Sequence, residues 1–452
     1  MMLEIIEKQR KYFNTHETYD ISFRILQLKR LRLQIKAYYS QILTAFKQDL
    51  NKEEFDVVST EIGPVMNEIN YMIKHLKSLA KPKKVMTSLL NFGSKGYVIQ
   101  EPYGVVLVAS PWNYPLQLAL SPLAGAIAGG NTCIVKPSRS TPNISNVIKK
   151  ILSVFDESYV YVVTKDKEIE QIFTSKFDFI FYTGSYSKAQ QLVSSQASNL
   201  TPMVLELGGK SPCIVDKDAE IDISAKRIVW AKFLNAGQTC VAPDYVLVHK
   251  EVKEQFLESV SKYIQKFYYT DGELNDNFVK VINKTAIERL KGYITDDNLY
   301  LGGKVVGDRL EPTVLTNITR QDAIMQEEIF GPIMPILEFD DLDSELDTIN
   351  NLDHPLALYY FGKLKENIYK VKTFTQFGGG CINECVMHLI EEKLPFGGVG
   401  KSGLGAYHGK QSFYAFTRQK SVLQKPAKFE LNLKYPPETK LKMKIAKKYF
   451  KI

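Results

Sequence analysis

Gly104-Val105-Val106-Leu107-Val108-Ala109-Ser110-Pro111-Trp112-Asn113-Tyr114-Pro115 decides the architecture. Val105 to Ala109 is a valine-rich apolar run without polar alternation, the pattern of a strand buried on both faces. It stops on a turn flanked by prolines, and an apolar helix follows that ends at Gly129-Gly130, a favourable helix stop. Strand Thr132 to Val135, helix Asn143 to Val154, strand Tyr159 to Val163, helix Lys167 to Phe173 and strand Phe177 to Tyr182 continue the alternation. Such alternation predicts a parallel, doubly wound sheet, in which ligand sites gather at the C-terminal ends of strands. Ser110 to Pro115 is therefore the first place to look for chemistry.

A second alternating block begins near Gly208. It has strands Pro212 to Val215, Tyr245 to His249 and Met334 to Leu337, with helices Ala219 to Phe233 and Val252 to Phe267 between them. Upstream, residues 1–80 read as helices: Met1 to Tyr19 is charged and amphipathic, and Ile25, Leu28, Leu31, Leu33, Ile35, Tyr38, Ile42 and Phe46 recur near helical spacing. Pro82 breaks that pattern. Val85 to Leu90 and Tyr97 to Gln100, around Gly93-Ser94-Lys95-Gly96, read as a two-stranded ribbon. The expectation is an α/β protein with two α/β domains and a strand ribbon.

The bulk numbers exclude several classes. A chain of 452 residues, 44% hydrophobic and 24% charged, is long enough for two or three domains and ordinary for a globular protein. Five cysteines are too few and odd in number for a disulfide framework, which points to a reducing compartment. Cys381 and Cys385 lack a second pair at zinc spacing, so no metal is expected. The N-terminus has no secretory apolar stretch, and no apolar run approaches the ~18–20 residues that cross a bilayer. A cytoplasmic protein is expected. The net charge of +8 is a property of the tail, because residues 425–452 alone carry +7. The nearly neutral remainder argues against nucleic acid, which requires basic residues spread over a folded surface.

Asn235-Ala236-Gly237-Gln238-Thr239-Cys240 places a cysteine on an irregular Gly-containing turn behind a helix. A lone free cysteine is more often an inert core residue. A catalytic thiol needs partners: a base, an oxyanion donor and a cofactor. Glu206 ends an apolar strand and is followed by Leu207-Gly208-Gly209. A carboxylate in such surroundings can be poised as a general base, though by itself it is more often a satisfied buried Glu or a strand-end surface Glu. Asn113, at the end of the Val105 strand, offers a neutral amide to a developing oxyanion; by itself it is only an Asn in a turn.

Taken together, the motifs are far more specific. Pro111-Trp112-Asn113, Val135-Lys136-Pro137-Ser138, Phe181-Tyr182-Thr183-Gly184-Ser185, Leu205 to Pro212, Gly237 to Cys240, Glu327-Glu328-Ile329-Phe330-Gly331-Pro332 and Pro395-Phe396-Gly397-Gly398-Val399-Gly400 occur in the order of the aldehyde dehydrogenase superfamily, which the chain resembles over essentially its whole length. Val241-Ala242-Pro243-Asp244-Tyr245 after Cys240, Met387-His388, and Tyr407-His408-Gly409-Lys410 resemble its class 3 branch, whose members are typically dimers acting on medium-chain, long-chain or aromatic aldehydes.

The resemblance implies a Rossmann-like cofactor domain (1–81 and 101–207), an α/β catalytic domain (208–401), a small β oligomerisation domain (82–100 with 417–427) and a basic tail (428–452). It implies that Cys240 attacks the aldehyde, that the Asn113 amide and the Cys240 backbone N–H hold the oxyanion, and that Glu206 activates the water that hydrolyses the thioester. One oxyanion donor is typically worth ~3–4 kcal/mol. It assigns Glu328 to the nicotinamide ribose, Phe330 to a place beside that ring, Lys136 to the adenosine ribose, Gly184 and Ser185 to the turn near the pyrophosphate, and Trp112, Ser138 and Leu207 to cofactor binding. Two departures bear on the choice between NAD and NADP. Arg139 stands where many NAD-preferring relatives carry Glu, and an Arg can bind a 2′-phosphate. Lys188 and Ala189 replace the usual Val-Gly. Acceptance of NADP is the expectation; the alternative is an Arg139 that points into solvent.

Leu441, Ile445, Tyr449 and Ile452 form one stripe amid lysines, which reads either as a peripheral contact with anionic membrane or as packing or a solvated end. Tyr114 and residues near His388 are expected at the substrate entrance. Two rival readings are a CoA-acylating or reductive relative, for which a hydrolytic Glu206 is superfluous, and a non-catalytic, membrane-associated binding protein on the same fold.

Overall fold

A computed structural model describes residues 2–163, 165–428, 430 and 432–452; Met1, Thr164, Phe429 and Leu431, which fall in stretches read above, lie outside the described residues. Two compact units are distinguished: a body, up to Leu79 and Pro102–Arg418, and a smaller unit, Ala80–Glu101 with Gln419–Ile452.

The body holds two parallel sheets. The first has six strands in the order Gly403–Leu404, Met203–Glu206, Phe179–Thr183, Val105–Ala109, Thr132–Lys136 and Val160–Val162, with only Gly403–Leu404 antiparallel. All five residues of Val105–Ala109 are buried, as an unalternating run requires. The chain moves outward from this strand through Thr132–Lys136 to Val160–Val162. It then returns to lay Phe179–Thr183 against the other side of Val105–Ala109. The reversal opens a crevice at the C-terminal ends of Val105–Ala109 and Phe179–Thr183, the switch point of a doubly wound sheet. The helices Gln117–Gly129, Pro142–Leu152, Asp166–Ile172 and Tyr186–Gln196 follow the strands. Gln117–Gly129 is buried throughout and stops at Gly130 with φ 88°.

The second sheet has seven strands, ordered Leu299–Leu301, Thr313–Leu315, Ile333–Phe339, Tyr245–His249, Pro212–Val215, Ala357–Phe361 and Gly379–Ile382, again with one antiparallel edge, Leu299–Leu301. Its face packs Ile214, Leu247, Ile333, Leu337 and Leu358 into one core.

The N-terminal helices are Met2–Phe13, Ile21–Ala37, Tyr39–Leu50 and Gly63–Leu79. Leu28, Leu31, Ile35, Ile42 and Phe46 turn inward as their spacing predicts, whereas Leu33 is 59% exposed because it falls off that stripe. In the smaller unit the ribbon forms, but its first strand is Lys83–Val85, not Val85 to Leu90. The antiparallel register sets Val85 opposite Gly96, so the chain must turn between them and does so through a short 3-10 segment, Leu89–Asn91. Thr417–Gln424 is the third strand of this sheet. The tail helix forms over Lys440–Phe450, capped by the Thr439 side chain, and its apolar residues are exposed. Among the described residues no helix is long and apolar enough to cross a membrane.

Candidate active site

Three strand or helix ends of the body converge on Cys240. The helix Ile221–Phe233 ends in a tight turn in which Asn235 (φ 54°), Ala236 (φ 54°) and Gly237 (φ 71°) are all left-handed. Asn tolerates this region and Ala does not, so the turn stores strain. Gly237 has no substitute: a Cβ there would stand 2.2 Å from the Gly331 carbonyl oxygen. The Gln238 side chain locks the turn by donating to the Asn235 and Lys280 carbonyls (3.1 and 3.0 Å) and accepting from Ile282 N–H (3.0 Å).

Asn113 is joined to this turn from both of its ends. Its Nδ2 donates to the Gln238 carbonyl at 3.1 Å, and its own carbonyl accepts from Asn235 Nδ2 at 3.0 Å. One N–H of the amide is thereby held in place, and the plane of the amide with it. Tyr114 follows, its hydroxyl 2.7 Å from Thr239 Oγ1.

Glu206 ends the strand Met203–Glu206 and is 2% exposed, and neither carboxyl oxygen has a hydrogen-bond partner among the described residues. Burial pushes its pKa well above the usual carboxylate range. Glu328 is raised to about 8, first by burial and then by Asp244, against the Gly209 N–H, Lys210 and Lys232. The Cys240 thiol is pushed up to about 12, mainly by burial, then by Glu328 and Glu206. Burial thus favours the uncharged form of Cys240, Glu206 and Glu328 alike.

Three cavities meet this site. The first, about 290 Å³, is lined by Cys240, Thr239, Tyr114, Leu118, Trp230 and Phe396, and by Val386, Leu389 and Ile390, the neighbours of His388. His388 itself is buried beside Cys381, with Nδ1 3.5 Å from the sulfur, and its pKa is lowered to about 4 by burial. The second, about 230 Å³, lies at the switch point between Trp112, Lys136, Ser138, Thr183, Gly184 and Ser185, with Ile169, Phe173 and Leu192 as apolar walls. The third, about 440 Å³, shares Gly184 and Ser185 with it and reaches Gly208, Glu328, His354 and Lys401. Gly208 leaves room that only glycine provides, because a Cβ there would stand 2.3 Å from Glu328 Oε2. Ser185 begins the helix Tyr186–Gln196, whose free N–H groups face an anion favourably. A cation at Lys136, a helix N-terminus at Ser185 and a carboxyl at Glu328, spread along joined cavities with an apolar slot, fit a dinucleotide. Trp112 and Phe330 meet edge to face, with centroids 5.4 Å apart, and Phe330 is left-handed at φ 47°.

The remaining sequence candidates lie around these cavities. Leu207 is buried, its N–H donating to the Ser402 carbonyl at 3.1 Å. Arg139 is at the surface, bridging to Asp166 at 2.9 Å. Lys188 sits on the outer face of its helix, bonded to Gln191, and Ala189 packs into the core. The structure also draws in residues that the sequence reading did not single out. His354, whose Nδ1 is buried without a partner, and Lys401 line the third cavity. Lys401 immediately follows the Phe396 glycine motif, which was the available signal; His354 carries none. Among the described residues no group of His, Cys, Asp or Glu is arranged to hold a metal ion.

Comparison with known proteins bears on the family and the fold. Residues 2–422 match the model of the Aldehyde dehydrogenase family. The 4,4'-diaponeurosporen-aldehyde dehydrogenase of Staphylococcus aureus is 43% identical across 99% of this chain and 100% of its own length. The dimeric NADP-preferring aldehyde dehydrogenase of Canis lupus familiaris is 38% identical across 96% of this chain and 97% of its own. A solved structure of the substrate-bound state of Staphylococcus aureus AldH superposes with a TM-score of 0.97 at 42% identity, covering 100% of this chain and 99% of that one. Fold and relatives agree: the chain belongs to the aldehyde dehydrogenase family and is an oxidoreductase of aldehydes.

Proposed function

We propose that the chain oxidises a neutral, apolar aldehyde to its carboxylic acid, with Cys240 as nucleophile, the Asn113 amide as oxyanion donor and Glu206 as the base of hydrolysis. The observation that carries this reading is the pair of bonds between Asn113 and the Cys240 turn, which hold donor and nucleophile in one rigid piece. The Cys240 thiol gives up its proton to solvent, addition of the resulting thiolate to the aldehyde carbon places negative charge on the oxygen, and a fixed neutral amide stabilises that charge without reorganising. What a bound nicotinamide supplies is a hydride acceptor; Lys136, Ser138, Gly184, Ser185 and Glu328 are the residues that would hold it. The thioester left on Cys240 then needs water. Glu206, whose burial makes it a stronger base than an exposed carboxylate, takes a proton from that water. A CoA-acylating relative would have no use for a base kept buried at such cost.

Phe55, Pro64, Leu118, Trp230 and Leu234 give the Cys240 cavity apolar walls, and Asp56, Glu68 and Glu392 add carboxyls but no cation. This supports medium-chain, long-chain, aromatic or carotenoid-derived aldehydes and disfavours those bearing a second carboxylate. The name of the Staphylococcus aureus relative puts 4,4'-diaponeurosporen-aldehyde among the candidates. For the cofactor, we infer that NADP is accepted. Arg139 pairs with Asp166 at an exposed site, and such a pair, worth ~0–1 kcal/mol, is easily exchanged for a phosphate. The relative called NADP-preferring supports the same choice.

Four measurements test this reading. Cys240→Ala is expected to abolish the burst of reduced cofactor, whereas Glu206→Gln should keep the burst and lose steady turnover; a normal steady rate in Glu206→Gln removes the base assignment. At pH 9, where Glu328 is mostly ionised and its charge raises the thiol, Glu328→Gln should lower the Cys240 pKa and speed its alkylation by iodoacetamide several-fold. The gain should vanish at pH 6, where Glu328 is protonated; equal rates at pH 9 contradict the electrostatic account. Steady-state kinetics with both cofactors should show NADP turnover, and a strong NAD preference in kcat/KM sinks the Arg139 argument. Against a panel of aldehydes, kcat/KM for a neutral chain should exceed that of its ω-carboxylate analogue by roughly tenfold or more; parity or reversal rejects the proposed substrate class.

A further inference from the structure

Lys52 and Glu61 form an ion pair, 3.0 Å from Nζ to Oε1, with side chains only 1% and 0% exposed. Two charges taken out of water stabilise a fold no better, as a rule, than apolar side chains of equal volume. Both lie on the N-terminal helical segment, away from every motif that suggests the family. Lys52 follows the helix Tyr39–Leu50, which ends at left-handed Asn51 (φ 58°), whose side-chain amide donates to the Asp276 and Phe278 carbonyls. Glu61 lies in a π-helical turn, Val58–Ile62. Gly63 closes that turn, where a Cβ would stand 2.7 Å from the Val58 carbonyl oxygen. Inserted π turns re-aim side chains and recur at functional sites.

Here the turn aims Glu61 at the segment between the strand Val105–Ala109 and the helix Gln117–Gly129. Glu61 Oε2 accepts from Gln117 N–H at 2.9 Å, at the positive end of that helix. Lys52 Nζ reaches the other end of the segment, donating to the Asn113 carbonyl at 3.4 Å and lying 4.2 Å from the centre of the Tyr114 ring. Each buried charge thus meets a partner of opposite sign on the stretch 113–117, one at each end. The carbonyl that Lys52 engages is the one that also accepts from Asn235 of the nucleophile turn.

We propose that Lys52 and Glu61 are positioning residues for the reaction: the buried pair staples the turn 113–117 and so fixes the Asn113 amide relative to the Cys240 sulfur. The proposal rests on the reading of Asn113 as oxyanion donor. A donor displaced by a fraction of an ångström meets the ground-state carbonyl as well as before and the developing oxyanion less well, so the staple acts on rate more than on binding.

The test replaces the pair by apolar side chains of similar size, Lys52→Met with Glu61→Leu, an exchange that generally preserves folding. Acylation of Cys240 is followed without cofactor, as p-nitrophenolate released from p-nitrophenyl acetate. The double variant should keep its thermal midpoint and its NAD and NADP Kd by fluorescence titration, yet acylate about tenfold or more slowly. Placed on Asn113→Ala, the same exchange should cause no further loss, because the group it positions is gone. Wild-type acylation in the folded double variant overturns the proposal, as does a full additional loss on the Asn113→Ala background. Should the double variant not fold, Glu61→Gln keeps an acceptor for Gln117 N–H and removes the ion pair; it should also acylate more slowly, and an unchanged rate overturns the proposal. Undiminished acylation in Asn113→Ala alone is a distinct outcome and removes the oxyanion assignment itself.

Discussion

A carboxyl group with both oxygens out of water and without a partner is a costly thing for a fold to hold, and among the described residues Glu206 is such a group. The body around it is densely hydrogen-bonded. Asp244 is its hub. It accepts Lys210 Nζ at 2.5 Å and the Ile329 N–H at 2.9 Å, while its backbone N–H donates to the Ser211 carbonyl at 2.8 Å and its carbonyl accepts from buried Lys232 at 3.4 Å. Those bonds tie the start of the second sheet to the loop that carries Glu328 and Phe330. The apolar space that raises Cys240, Glu206 and Glu328 is therefore built by structure that is itself satisfied.

Strain is distributed in the same way. The Cys240 turn stores it in Asn235 and Ala236, and the Phe330 loop in one left-handed aromatic residue. Gly237, pressed on the Gly331 carbonyl, joins the two. Backbone in sparsely populated regions persists only when its surroundings over-determine it. Here the Gln238 side chain, with bonds to three backbone groups, performs that task. Cys240, Asn113 and Glu328 are each tied to a segment that can hardly relax.

Much of this was legible in the chain, and for identifiable reasons. Fully buried parallel strands such as Val105–Ala109 carry unalternating apolar runs, and strand ends in a doubly wound sheet mark the crevice in advance. The ribbon was misplaced by a few residues because strand register is set by the partner, here Gly96 opposite Val85, and not by local propensity. The strand Gly379–Ile382 escaped notice because a glycine-rich edge has no periodicity to read, whereas Ala357–Phe361 was overlooked although it is a buried apolar run. Lys52 and Glu61 were invisible for the opposite reason. In a helical segment dense with Lys and Glu, a charge pair reads as solvated surface, and only the fold shows that these two are inside. His354 carries no motif at all; its orphaned ring nitrogen is a fact of packing.

The walls of the Cys240 cavity have a consequence of another kind. Phe55, Leu118 and Trp230 come from helices, and Val386, Leu389 and Ile390 from a short 3-10 segment and its flanks, whereas Glu206 and Asn113 hang from strand ends and Cys240 from its strained turn. Exchange of Leu118 or Trp230 disturbs no ion pair and no left-handed residue. Selection on which aldehyde enters can therefore proceed almost independently of selection on how it is oxidised. A lineage with this layout is free to diversify its diet of aldehydes while its reactive centre stands still.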